Sequence, residues 1–294
     1  MQIGPKPGLS KMTFDLNIVR SLCKELDMPD DVTKQISILT ADIYFPDIEK
    51  YFNMLFSLET GGEAYKKIES ELKENESSLK PLALYLTAAN KTWEQYKKTG
   101  IPRKIYVDSM KCFSRFVREH FNTYGFYGFD RDFWIYRFLA FSIFRLGELE
   151  FEMSFCPDND LLNGFAAKGD KIISVHIPSD AVMTRDNLNK SYEAAASFLK
   201  KYFPEYGNAI TYCITWLLDP ALKDLLPANS KILEFQSDYK IIKIVNNDKS
   251  FMRWVYNKDT DDYNSLPENT TLQRNIKKHL LEGGNISLAT GIKK

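Results

Sequence analysis

The chain has 294 residues, 44% of them apolar and 14% aromatic, which is ample for a buried core and enough for two domains or one large one. Lys plus Arg and Asp plus Glu each number 39, so the formal charge is zero and nothing global points to nucleic acid or an anionic membrane surface as a partner. Four cysteines, Cys23, Cys112, Cys156 and Cys213, stand far apart with no CxxC or Cys/His spacing, which argues against a metal site and for reduced, packed thiols in a cytoplasmic protein.

The opening "MQIGPKPGLSKM" has no apolar stretch, so it reads as neither a signal peptide nor an amphipathic presequence. The first 120 residues then carry helical signals. Ile18, Leu22 and Leu26 step by four, and in "PDIEKYFNMLF" Pro46 suits a first helical turn. Gly61–Gly62 in "LETGGEAYKK" predicts a break, and "KENESS" a solvated loop. "LKPLALYLTAANKTWEQYKKTG" predicts a helix stopping at Gly100. Tyr106, Met110, Phe113, Val117 and Phe121 mark one more helical face.

"YGFYGFDRDFW" at 124–134 is punctuation rich in glycine and aromatics, and the character changes there. The boundary implied is a helical domain over 1–123 and a second domain over 124–294. "RDFWIYRFLAFSIFRLG" reads as a helix packed on nearly every side and ended by Gly147. It includes the longest apolar run, 133–144, but Arg137 interrupts that run, which is shorter than the ~20 residues a membrane span needs. No membrane association is expected.

"ELEFEM" alternates strictly, with Leu149, Phe151 and Met153 on one face and Glu148, Glu150 and Glu152 on the other, the pattern of a half-buried strand. After an irregular stretch, "KIISVHI" is a strand, Thr184 caps a long helix, and "AITYCITWLL" is a buried, central strand. "DPALKDLLP" is a short helix. "SKILEFQSDYKIIKIV" and "SFMRWVYNK" read as two strands around "NNDK". "PENTTLQRNIKKHLLEGG" supplies a last helix, and the glycine-rich "GGNISLATG" is a tail that follows no strand. The expected fold class is α+β: an N-terminal α-helical domain, then an α/β layer on a mixed sheet.

The wording of 124–245 resembles a bacterial family of GNAT-like acyltransferases. The residues that carry the likeness are "YGFDRDFWIYRFLAFSIFRLGELEFEM", "VHIP", "SYEAAASFLKKYFPEY" and "TWLLDPALKDLLPANSKILEFQSDY". The resemblance implies a mostly antiparallel GNAT-like sheet and an acyl-CoA co-substrate, acetyl or longer. "IISVHI" and "ITYCITWLL" would be the two strands that splay to admit the pantetheine arm. It further implies a pyrophosphate site in the loop before the long helix. That loop, "PSDAVMTRD", holds two aspartates and no glycine, which leaves Thr184, Arg185 and the first-turn N–H groups to hold an anion.

Several side chains are candidates for the chemistry. His176 reads as a general base or acceptor-orienting group, or as a histidine merely hydrogen-bonded at a strand end. Glu150 and Glu152 read as carboxylates beside the acyl carbon, or as part of a wet outer face. Val175 and Ile177 flank His176 on the strand whose backbone N–H would steady an oxyanion. Tyr206 is a candidate acid for the leaving thiolate, and Trp216 a cleft wall, the alternative for both being plain core. His120 and His279, beside basic residues, read as surface. The function implied is N-acyl transfer to a small-molecule amine or peptide acceptor, with homodimerisation left open. The rival is a non-catalytic binding protein on a degenerate scaffold of the same kind.

Overall fold

A computed structural model describes residues 14–39, 43–75, 77–246 and 248–294. The chain forms two compact units, 1–144 and 145–294.

The first unit holds eight helices among its described residues: α1 (Leu16–Glu25), α2 (Asp30–Leu39), α3 (Ile48–Met54), α4 (Leu58–Leu72), α5 (Lys80–Thr99), α6 (Arg103–Met110), α7 (Cys112–Tyr124) and α8 (Asp132–Leu139). Helix α5 ends as expected: Gly100 adopts φ 75°, a left-handed cap that costs glycine nothing. The break expected at Gly61–Gly62 does not occur, and α4 runs through it. A Cβ on Gly61 would lie 2.3 Å from Cδ2 of Tyr136, so the glycine is there to let the α8 ring approach. That ring also stacks on Tyr65, with centroids 5.8 Å apart.

The helix expected through Gly147 stops at Leu139. Ser142 N donates back to the Arg137 carbonyl, and Phe141 takes a left-handed φ of 59°. Its ring packs edge-on against Tyr96 and Phe144, at 4.8 and 5.1 Å. Those contacts hold a conformation that a side chain rarely adopts. His120, expected on the surface, is buried in α7 with Nδ1 3.0 Å from the Phe126 carbonyl.

Among the described residues the sheet has six strands, β1 (Ile143–Leu146), β2 (Leu149–Phe155), β3 (Lys171–His176), β4 (Ile210–Thr215), β5 (Tyr239–Val245) and β6 (Leu288–Lys293). Their order is β1-β2-β3-β4-β6-β5. Pairs β2/β3, β4/β6 and β5/β6 are antiparallel, and β3/β4 is parallel. The class is α+β with a mixed, mostly antiparallel sheet. Between strands lie α9 (Arg185–Tyr202), α10 (Leu222–Leu225), α11 (Lys231–Ser237), α12 (Ser250–Tyr256) and α13 (Thr271–Leu281).

Three expectations in this unit fail. Of "SKILEFQSDYKIIKIV" only Tyr239–Val245 is a strand, β5; "KILEFQS" is the helix α11, and "SFMRWVY" is the helix α12. In α12, Phe251, Met252, Val255 and Tyr256 are buried at helical spacing in a cluster with Ile276 and Leu280 of α13. The end of the supposed tail, from Leu288, is strand β6, which fills the gap between β4 and β5. Gly291 makes that possible, because a Cβ there would meet Leu218 and Tyr239 at 2.9 Å.

Candidate active site

The register of β2 on β3 pairs Glu150 with His176 and Glu152 with Ser174. Side chains alternate along a strand, so these four share one face of the sheet. Phe151, Met153, Ile173 and Val175 take the other, where the Phe151 ring meets Tyr192 of α9 edge-on at 6.3 Å. A wet outer face is excluded for the acidic residues of β2: Glu150 and Glu152 are 2% and 7% exposed.

His176 Nε2 lies 2.9 Å from Oε2 of Glu152, a diagonal cross-strand contact. The imidazole is half-buried and reaches solvent, while the carboxylate behind it is almost enclosed. In the neutral ring, donation from Nε2 to Glu152 places the lone pair on Nδ1. The carboxylate also stabilises the imidazolium that forms if Nδ1 takes a proton.

The same end of β3 is where its pairing with β4 stops. The ladder runs Ile172↔Ile210, Ile173↔Thr211 and Ser174↔Tyr212. Val175 and His176 then continue β3, while Cys213, Ile214 and Thr215 of β4 pair onward with Gly291, Thr290 and Ala289 of β6. Two parallel neighbours thus lose their shared hydrogen bonds beside His176.

The loop from Ile177 to Thr184 joins β3 to α9. Thr184 caps the helix, its hydroxyl accepting from Asn187 N at 3.3 Å. The first-turn N–H groups of Arg185 and Asp186 have no intrahelical acceptor, as at any helix N-terminus, and attract negative charge. Arg185 is not free to join them: Nη1 bonds both carboxylate oxygens of Asp238, and Nη2 the Glu234 carbonyl. The loop is also held from below. Glu148, which precedes β2 instead of lying in it, accepts from Val182 N at 2.9 Å, and Arg145 Nη1 donates to Asp180 at 2.8 Å. Arg145 was hidden from sequence reasoning by the helix expected over it. No local signal marks Asp238 as the partner of Arg185.

Tyr206 is not brought to this place. It sits in a single turn, Pro204–Tyr206, with Lys171 Nζ 5.3 Å from its ring. Lys171 starts β3 and His176 ends it, so the tyrosine and the imidazole lie at opposite ends of one strand. Burial pushes the Tyr206 hydroxyl up. Trp216 lies in the turn Trp216–Leu218 just past β4 and packs against the α12–α13 cluster. Cys213 is fully buried, and burial pushes its thiol well above the usual range, so it is an inert packing group. Among the described residues, no group of three or more His, Cys, Asp or Glu side chains can hold a metal ion, and no helix is long and apolar enough to cross a membrane.

Residues 143–293 match the model of the GNAT-like C-terminal domain, and residues 18–141 that of the N-acyltransferase N-terminal domain. Among solved structures, an acyltransferase in complex with decanoyl-CoA and teicoplanin superposes with a TM-score of 0.74 at 19% identity, over 99% of this chain and 91% of that one. A mutant acyltransferase in complex with octanoyl-CoA gives a TM-score of 0.75 at the same identity and coverage. At that identity the likeness speaks for the fold. No curated protein sequence matches the chain.

Proposed function

The chain belongs to the GNAT-like acyltransferase family, and on that premise we propose that it transfers an acyl group from a CoA thioester to an amine. The observation that carries this reading is the Glu152–His176 pair standing where the β3–β4 ladder ends. A thioester threaded through that opening would put its carbonyl carbon beside Val175 and His176. The amine attacks this carbon, Nδ1 of His176 takes the amine proton, and Glu152 steadies the imidazolium. A β3 backbone N–H, at Val175 or at Ile177 just beyond, donates to the developing oxyanion. As the carbon–sulfur bond breaks, the imidazolium returns its proton to the leaving thiolate. Amide and free CoA are the products, and no separate acid is needed. Tyr206, at the far end of β3, is therefore left out of the proton path.

The co-substrate is acyl-CoA, in keeping with the decanoyl-CoA and octanoyl-CoA bound by the solved relatives. Its diphosphate would rest on the open first turn of α9 near Thr184. An amine on a small molecule or a peptide is the acceptor class we favour, since one solved relative carries the glycopeptide teicoplanin.

A second reading has its own support. Glu148 occupies the Val182 N–H and Asp238 occupies Arg185, so two groups suited to a phosphate are already paired. A binding protein that no longer uses CoA would tolerate that arrangement. Calorimetric titration with acetyl-CoA and decanoyl-CoA separates the two, with CoA thiol release measured against a panel of primary amines. Saturable binding and amine-dependent thiol release support the enzyme. Absence of both at millimolar ligand leaves the binding-protein reading.

A further inference from the structure

A cavity of about 440 Å³ lies between α9 and the sheet, at the laddered end of the β3–β4 pair and away from His176. Its size falls in the range of small-molecule sites. The floor is apolar: Phe151 and Ile173 from the strands, Ala195 and Leu199 from α9. Small residues at Ala196 and Gly207 leave one side open to water.

The mouth is cationic. Lys200 and Lys293 both line the cavity, and Lys293 Nζ sits 4.5 Å from the Tyr192 ring. Lys171 Nζ lies 5.3 Å from the ring of Tyr206, another residue of the lining. None of these ammonium groups is paired with a carboxylate among the described residues, although Glu205 borders Tyr206. Elsewhere in this chain lysines commonly meet acids, as Lys190 meets Asp186 and Lys277 meets Glu268. An apolar trough ringed by unpaired cations is complementary to an alkyl chain with one anionic end.

We propose that this cavity binds a free medium-chain alkyl carboxylate, its chain lying along Phe151, Ile173 and Leu199 and its carboxylate between Lys200 and Lys293. The proposal goes beyond the acyl-transfer reading and does not rest on it, because the site has no part of the β3–β4 opening.

The test is calorimetry on the full chain with hexanoate, octanoate, decanoate and decanol. Affinity should tighten about fourfold per added methylene for as long as the chain is buried. Decanoate should bind about tenfold or more tighter than decanol. The double variant Lys200→Met, Lys293→Met should lose that advantage while leaving decanol binding unchanged. Ala196→Trp, at an exposed position that tolerates bulk, should block both ligands. No binding of decanoate at millimolar concentration, equal affinity for decanoate and decanol, or unaltered binding in either variant overturns the proposal. Competition between decanoyl-CoA and decanoate also overturns it and gives the cavity to the tail of a thioester. Undiminished decanoate binding with decanoyl-CoA present upholds it.

Discussion

Glu152 and Asp132 are both carboxylates withdrawn from water, one in the sheet unit and one in the helical unit, and they differ in what surrounds them. Glu152 bonds to an imidazole that itself reaches solvent. Asp132 opens α8 with Lys73 Nζ 3.7 Å away and the buried Tyr85 hydroxyl beside it, a neighbour that is itself cut off from water. Burial, opposed by the Lys73 charge, pushes Asp132 up to about 6. The helix N-terminus, the Tyr85 hydroxyl and one ammonium only partly replace its lost water. Burial of a charge is thus common to both units. What separates a candidate site from a structural liability is a proton-accepting partner with a route outward.

The comparison breaks most sharply at His176. If it is the base, His176→Ala lowers kcat for amide formation by about 10²–10⁴-fold while acyl-CoA affinity stays near wild type, with about 1–3 kcal/mol of stability also lost because Glu152 is left buried without its imidazole. Equal rates in variant and parent would remove the distinction drawn above.

Asp132 is the next lever, and it acts on stability alone. Its folded pKa lies above its ordinary value, so the folded chain binds that proton more tightly than the unfolded one. Its contribution is most favourable below about pH 4, is lost as pH rises towards about 6, and is flat beyond. A shift from 3.8 to about 6 is worth roughly 3 kcal/mol. Asp132→Asn should therefore be more stable than the parent at pH 7 by up to that amount, the gap closing near pH 4. Lys73 keeps Glu69 as a partner at 2.9 Å in the variant. Urea melts at four pH values measure this, and a gap independent of pH would refute it.

Glu152→Gln keeps the shape but not the charge behind the imidazole. A loss of about 10–100-fold in rate is expected, milder than removing the ring. Gly61→Ala tests the packing of the helical unit. The helix gains up to about 1 kcal/mol of propensity but the Tyr136 ring, pinned on Tyr65, must shift at a cost of about 1–3 kcal/mol. A net loss of about 1 kcal/mol should appear in a denaturation midpoint. Thr184→Ala, which removes one cap of α9, should cost about 1 kcal/mol or less.

How much of this was legible beforehand depended on whether the determining contacts were local. The stop at Gly100, the cap at Thr184 and the existence of a strand over 149–153 are decided within a few residues and can be read directly, whereas the burial of both its faces cannot. The pairing of β6 is decided by strands tens of residues away, and its glycine looks like a tail until Leu218 and Tyr239 are seen pressing on it. The segments that became α11 and α12 are only seven residues long, too short for apolar content to separate a helix from a strand. His176 and Glu152 each stand out in the sequence, but their 2.9 Å contact follows from the register of two strands. Tyr206 has the chemistry of an acid, but the chain's path carries it to the other end of β3.

The most direct measurement of the central claim is a crystal structure with a non-hydrolysable thioether analogue of decanoyl-CoA. The account predicts the thioether between Val175 and Cys213, beyond the Ser174↔Tyr212 pair, with the carbon that replaces the thioester carbonyl next to His176. A ligand bound elsewhere, or β3 and β4 found hydrogen-bonded to their ends with the opening filled by side chains, would contradict it.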